Sequence, residues 1–234
     1  MKNILLLTLG LVLTTATAFA QKIVEKTLPA AANQKIDLQL KFGNDIKISA
    51  WDKNEVYVKV TYNINSGRLN DALKLAFNSG AGGVEVNVDL DHELLKTGRA
   101  EDCPDLQNGS NRNYYNGEEY FTCTQIDYEI KVPRAGNLVV NTISGNIELR
   151  DVTGPVNAKS ISGFVDLSWP GKKGATVALK TITGEVYSDL DIDFTNKKKE
   201  IPLVGYQLKG SVNGGGSEVK LETISNNIYF RRKE

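Results

Sequence analysis

Three aspartates, Asp189, Asp191 and Asp193, alternate with Leu190 and Ile192. Successive side chains of a strand point to opposite faces, so this spacing sets three carboxylates on one side. Carboxylates that hold calcium beside a basic residue carry the chemistry of polysaccharide cleavage, yet the same alternation is what the wet face of any half-buried strand requires. A second acidic group, Asp89, Asp91, His92 and Glu93, has metal-ligand residue types. Consecutive positions diverge on a strand, however, which leaves only Asp89, Asp91 and Glu93 able to converge without a turn. Both groups are read as solvated faces, with no metal and no cofactor expected. His92 is the one imidazole of the chain and would have to be the base of any Ser-His-Asp arrangement, but no serine stands in a Gly-x-Ser-x-Gly context. No catalytic residue is therefore assigned.

Tyr114, Tyr115 and Trp169 are the residues with rings suited to stacking on a glycan. The two tyrosines belong to an irregular stretch, 93–124, rich in Asn, Gly and Ser. Such a loop either binds something or is simply kept soluble by its composition, and the second reading is preferred. Trp169 has the competing role of capping a core at a turn. The only two cysteines, Cys103 and Cys123, bracket that loop. A disulfide between them is expected, stabilising by on the order of 3 kcal/mol through loop closure. A zinc site lacks further ligands.

Whatever these groups do, a repeated element has to position them. Thr142-Ile143-Ser144-Gly145 recurs as Ser160-Ile161-Ser162-Gly163, Thr181-Ile182-Thr183-Gly184 and Thr223-Ile224-Ser225-Asn226. The copies start 18, 21 and 42 residues apart, the last gap being twice the one before it. Each copy is followed by a β-branched residue, giving Ile147, Val165, Val186 and Ile228, and preceded by apolar pairs such as Leu138 and Val140 or Val219 and Leu221. The unit is strand, glycine corner, strand, and a period near twenty suits stacked coils. Stacking turns Ile147, Val165, Val186 and Ile228 into one wall of a core and supplies backbone partners from coil to coil. The isoleucine inside the phrase is ambiguous. Unbroken alternation points Ile143, Ile161, Ile182 and Ile224 outward as an apolar ridge, whereas a bend at the preceding Ser/Thr buries them, and burial is preferred because large exposed apolar patches are rare.

The fold expected is all-β: a single-stranded β-solenoid, or β-helix, of short parallel stacked strands with one short flanking helix. Residues 21–132 are assigned to N-terminal strands, the helix and the disulfide loop, and 133–234 to regular coils. Alternation predicts strands over 23–28, 36–40, 46–51, 56–62 and 84–90. Leu69, Ala72, Leu73, Ala76 and Phe77 recur at three and four, which predicts the helix over 70–77. Tyr206 to Val212 is a candidate for the coil missing from the doubled gap.

Residues 1–20 read as a cleaved secretory signal, with Lys2, an apolar run from Ile4 to Leu13, and Ala18-Phe19-Ala20 before the cut. The exported product is then expected in the periplasm or at the cell surface, without a transmembrane anchor. Its charge is nearly balanced, which offers nothing to nucleic acid.

Residues 126–149, from Ile126-Asp127-Tyr128 through Gly145-Asn146-Ile147, together with 208–230, which hold Gly214-Gly215-Gly216 and Thr223-Ile224-Ser225, resemble the bacterial putative-adhesin family of unknown function. Asn226 departs from the glycine usual there. The resemblance implies an exported β-solenoid and brings no catalytic residue. The function expected is a non-enzymatic adhesin-like or envelope-binding scaffold whose partner is a cell-surface glycan or envelope protein, with coil edges open to homodimer formation. The alternative is a polysaccharide-cleaving enzyme on the same coils.

Overall fold

The computed structural model describes residues 21–104, 112–195 and 205–233. The expected signal, residues 1–20, lies outside them. Strands are numbered along the chain. One sheet of eight runs, in spatial order, β1 (Lys22–Pro29), β4 (Glu55–Ile64), β9 (Thr124–Pro133), β3 (Phe42–Trp51), β11 (Ser144–Arg150), β13 (Val165–Pro170), β19 (Ile228–Lys233) and β15 (Val186–Ser188). The other, of nine, runs β16 (Asp193–Phe194), β17 (Gln207–Val212), β14 (Ala175–Lys180), β18 (Ser217–Thr223), β12 (Val156–Ser160), β10 (Asn137–Thr142), β2 (Lys35–Leu40), β6 (Gly83–Leu90) and β5 (Leu73–Gly80). A hairpin of β7 (Arg112–Tyr115) and β8 (Glu118–Phe121) stands apart.

Strict alternation in the sequence makes these elements. In β4, Val56, Val58, Val60, Tyr62 and Ile64 are buried while the residues between them face water. The inward side chains of both sheets join one continuous apolar cluster that includes Ile36 and Leu221 of the nine-stranded sheet and Ile46 and Phe230 of the eight-stranded one. Each large aliphatic side chain buried this way contributes about 1.5–3 kcal/mol, before the entropy of ordering the chain is charged against it.

The single-stranded β-solenoid is not what forms. The centre of each sheet is parallel, but one flank of the eight-stranded sheet is antiparallel, β1 on β4 and β4 on β9, and so are both flanks of the nine-stranded sheet, β5 on β6 at one end and β14 on β17 and β16 on β17 at the other. The coils are also out of sequence order. Ile147 pairs with Val165, Val165 with Ile228, and Ile228 with Val186, so the fourth copy lies between the second and the third. The reason is physical. Parallel pairing asks only for matching inward columns, and Ile228 meets that condition against Val165 and Val186 alike. Gln207–Val212 does not add a parallel coil either; it returns antiparallel along β14.

The helix expected over 70–77 is likewise replaced. A single 3-10 turn covers Asn70–Ala72, after which Leu73–Gly80 is an edge strand paired with β6. Leu73, Leu75 and Phe77 alternate inward there, and this period-two pattern, backed by eight cross-strand pairs, outweighs the weaker spacing at three and four. The one α-helix among the described residues, α1 (His92–Leu95), is a single turn.

Candidate functional site

The repeated phrase builds a corner where each coil passes from one sheet to the other. Its first residue turns inward, and in the last three copies its hydroxyl donates to the carbonyl of the glycine or asparagine in the neighbouring coil, whereas Thr142 Oγ1 donates to Ser144 O at 2.7 Å. Ser160 Oγ bonds Gly145 O at 2.9 Å, Thr223 Oγ1 bonds Gly163 O at 2.7 Å and Thr181 Oγ1 bonds Asn226 O at 2.8 Å. These bonds satisfy carbonyls that the corner removes from water. The glycine is there for space, since a Cβ on Gly163 would stand 1.9 Å from Gly145 O and one on Gly184 2.0 Å from Asn226 O.

With the first residue turned in, the isoleucine that follows is turned out. Ile143 is 42% exposed and Ile182 38%, while Ile161 and Ile224 are half-buried. The preferred expectation that these four are buried is therefore corrected: the bend is satisfied by the Ser/Thr hydroxyl, and burying the isoleucine as well would require the corner to turn twice. Backbone bonds hold the four in file. Ser162 N donates to Ile143 O, Ser225 N to Ile161 O and Thr183 N to Ile224 O, at 2.9, 3.1 and 3.0 Å. The result is an apolar ridge in the order Ile143, Ile161, Ile224, Ile182, edged by the hydroxyls of Ser162, Ser225 and Thr183.

Beside this ridge, on the solvent face of the eight-stranded sheet, two copies carry an aromatic residue after the inward β-branched one. Tyr229 follows Ile228 and Tyr187 follows Val186, where the first two copies have Glu148 and Asp166. The two tyrosine rings stack with centroids 5.4 Å apart and planes 12° from parallel, and Phe164 meets Tyr229 edge-on at 6.0 Å. The Tyr187 hydroxyl donates to Glu185 Oε2, and this carboxylate raises the pKa of the phenol. Asn227 Nδ2 donates to Tyr229 Oη at 3.2 Å. Next to them Asp166 is buried on the outer face, accepting from Arg150 Nη2 at 2.8 Å and Arg231 Nε at 3.1 Å. This aromatic group was missed in the sequence, although its signal was present: Tyr187 and Tyr229 occupy the same position of the repeat.

The residues singled out from sequence are dispersed. Trp169 is fully buried, its Nε1 donating to Lys173 O at 3.0 Å, so it is a core side chain and not a glycan contact; it sits within strand β13 on the inward side of the alternation. Tyr114 and Tyr115 are neighbours on β7 and both exposed. Tyr114 Oη donates to Glu119 at 3.3 Å, and Lys96 Nζ lies 3.3 Å from the centre of the Tyr115 ring and occupies that face. Asp189 follows β15 in one sheet and Asp193 is in β16 of the other, with buried Leu190 between, so the three aspartates do not share a strand face. Asp91 caps α1 by accepting from Leu94 N at 3.1 Å, and Asp89 pairs with Lys41 at 2.5 Å. Among the described residues no group of three or more His, Cys, Asp or Glu is placed to hold a metal ion.

Cys103 and Cys123 are joined in a disulfide, their Cα atoms 5.8 Å apart. It is anchored from below. Asn65 Nδ2 donates to Phe121 O at 2.8 Å and its Oδ1 accepts from Cys123 N at 3.0 Å. Asp102, also buried, accepts from Arg68 Nε and from Arg99 N, each at 2.8 Å. The Arg68 guanidinium, helped by those backbone and amide donors, holds the Asp102 carboxyl down to about 2.

No family model matches this chain, and no curated protein does. Among solved structures, a putative cell adhesion protein from Clostridium sporogenes ATCC 15579 is similar, with a TM-score of 0.51 and 14% identity over 92% of this chain and 100% of that one. At that identity the likeness is one of fold. No helix among the described residues is long and apolar enough to cross a membrane.

Proposed function

We propose that this chain is a non-enzymatic, exported, adhesin-like module that binds a component of a cell surface or envelope. The observation that carries this reading is the isoleucine ridge. Ile143, Ile161, Ile224 and Ile182 are held in line by the backbone of successive coils, outside the core cluster and each partly open to solvent. With at most 42% of each exposed, covering one offers a partner up to about 1 kcal/mol. The disulfide fits an oxidising compartment, and the fold is shared with a protein named for cell adhesion. The polysaccharide-cleaving alternative loses the feature that motivated it, because Asp189 lies past the end of β15 in one sheet and Asp193 in β16 of the other, so the aspartates share no strand face.

The test is sedimentation of the purified protein with envelope fragments of its own source cells. Replacing Ile143 and Ile182, the two most exposed, by serine is expected to keep a cooperative thermal transition and to reduce the bound fraction at least tenfold. Undiminished binding by that variant, or release of reducing ends from envelope polysaccharide by the unaltered protein, overturns the reading.

A further inference from the structure

We infer that the end of the eight-stranded sheet, at Tyr187, is a binding site for a neutral glycan. The inference rests on the adhesin-like reading and gives it a ligand class.

β15 is the last strand of its sheet, and Tyr187 is its central residue, 45% exposed. One face of the ring lies on Tyr229; beyond the other the sheet ends. In β15 Val186 turns toward the core and Tyr187 outward, and Glu185 and Asp189, immediately before and after the strand, place a carboxylate two residues to either side of the ring. Both carboxylates are exposed. Glu185 is oriented by the Tyr187 hydroxyl, and Asp189 accepts from Arg232 N at 2.5 Å.

The chemistry selects the ligand. A pyranose presents an apolar C–H face and a rim of hydroxyl donors. Here an open aromatic face is bracketed by two carboxylates whose remaining lone pairs accept from such a rim. Glu185 disfavours an acidic sugar at the ring by like-charge repulsion, while the charge of Asp189 is offset by Arg231, Arg232 and Lys233, which line the same cleft. An aliphatic or aromatic peptide side chain would leave them desolvated and unpaired at a cost in binding. Tyr229, itself met edge-on by Phe164, stacks on the Tyr187 ring, so little side-chain freedom is lost when a sugar packs against it. Tyr114 is the internal comparison: an exposed tyrosine whose hydroxyl also meets a carboxylate, but with no second ring behind it among the aromatic pairs found.

The experiment is isothermal titration of residues 21–234 with neutral hexasaccharides of β-1,4-linked glucose, N-acetylglucosamine, xylose and mannose, with oligogalacturonate as the acidic comparator, alongside the envelope-fragment assay. At least one neutral hexasaccharide is expected to bind. Tyr187→Ala is expected to weaken it by about tenfold or more. Glu185→Gln should weaken it by a smaller factor, Tyr187→Phe should keep it within about threefold, and Tyr114→Ala should leave it unchanged. Absence of binding by every neutral sugar, preference for oligogalacturonate, or an equal loss in Tyr114→Ala overturns the inference. If envelope fragments are still bound in those cases, the adhesin-like reading stands without the glycan site. If neither fragments nor sugars are bound, both fall.

Discussion

Ser160 Oγ donates to the carbonyl oxygen of Gly145, 2.9 Å away in the neighbouring coil, and both atoms are shut off from water. The same bond is repeated by Thr223 to Gly163 and by Thr181 to Asn226. This pairing explains why the phrase begins with Ser or Thr. Ser160→Ala is expected to cost about 1–3 kcal/mol, because it strands a buried carbonyl, and Thr223→Val should cost a similar amount. Urea denaturation measures both. A loss below about 0.5 kcal/mol in each would mean the carbonyls are satisfied some other way.

Gly163 is required for space. A methyl there meets Gly145 O at 1.9 Å, which forces adjacent coils apart. Gly163→Ala is expected to destabilise by about 3 kcal/mol or more, whereas Gly117→Ala, with nothing within 4 Å of the added Cβ but a φ of +83°, should cost only the backbone strain of about 1 kcal/mol. Melting temperatures of the two variants, measured side by side, decide it.

Asp102 makes the stability of the disulfide region acid-sensitive. Its folded-state carboxyl lies at about 2 against an ordinary 3.8, so the unfolded chain takes up the proton first as pH falls. The stabilisation is whole above about pH 4 and lost as pH drops toward about 2, in total roughly 2 kcal/mol. Asp102→Asn should be less stable at neutral pH and show a shallower decline across that window. Urea midpoints at several acid pH values, for both proteins, give the comparison.

Replacing Cys103 and Cys123 together by serine opens a loop whose ends are 20 residues apart. The expected loss is about 3 kcal/mol, with the clamp of Asn65, Arg68 and Asp102 limiting local fraying. Hydrogen exchange should show loss of protection confined to residues near 65, 102 and 121.

Trp169→Ala empties a fully buried site and should cost about 3–5 kcal/mol while leaving sugar titrations of the folded fraction unchanged. A selective loss of glycan binding in a stable Trp169→Ala protein would return that residue to the binding surface.

How much of this was legible in the sequence follows from what each pattern encodes. The column Ile147, Val165, Ile228 and Val186 follows from the spacing of β-branched residues after a glycine corner, and the structure pairs them directly. The order of the coils was not legible, since the columns are interchangeable and nothing in Ile228 distinguishes a place beside Val165 from one beyond Val186. The antiparallel flanks escaped for a similar reason: alternation in β4 or β17 says which side faces inward, not which way the neighbour runs. The helix expected over 70–77 failed because Leu73 and Phe77 fit both readings, a period of two through Leu75 and a period of three and four through Ala76, and only the partner strand β6 separates them. Aromatic rings were sought in loops, at Tyr114 and Tyr115, while the better-supported group sits on regular strands at Tyr187 and Tyr229.

The displaced position of the fourth copy governs when this protein can fold. β18 and β19 follow every other strand along the chain yet lie between β12 and β14 and between β13 and β15, so Thr223 reaches back 60 residues to Gly163. Until they emerge from the ribosome, the third copy has no parallel neighbour and the second presents a bare edge. Assembly of that half therefore waits until both strands have been synthesised, and its order is set by the last copy of the repeat and not by the first.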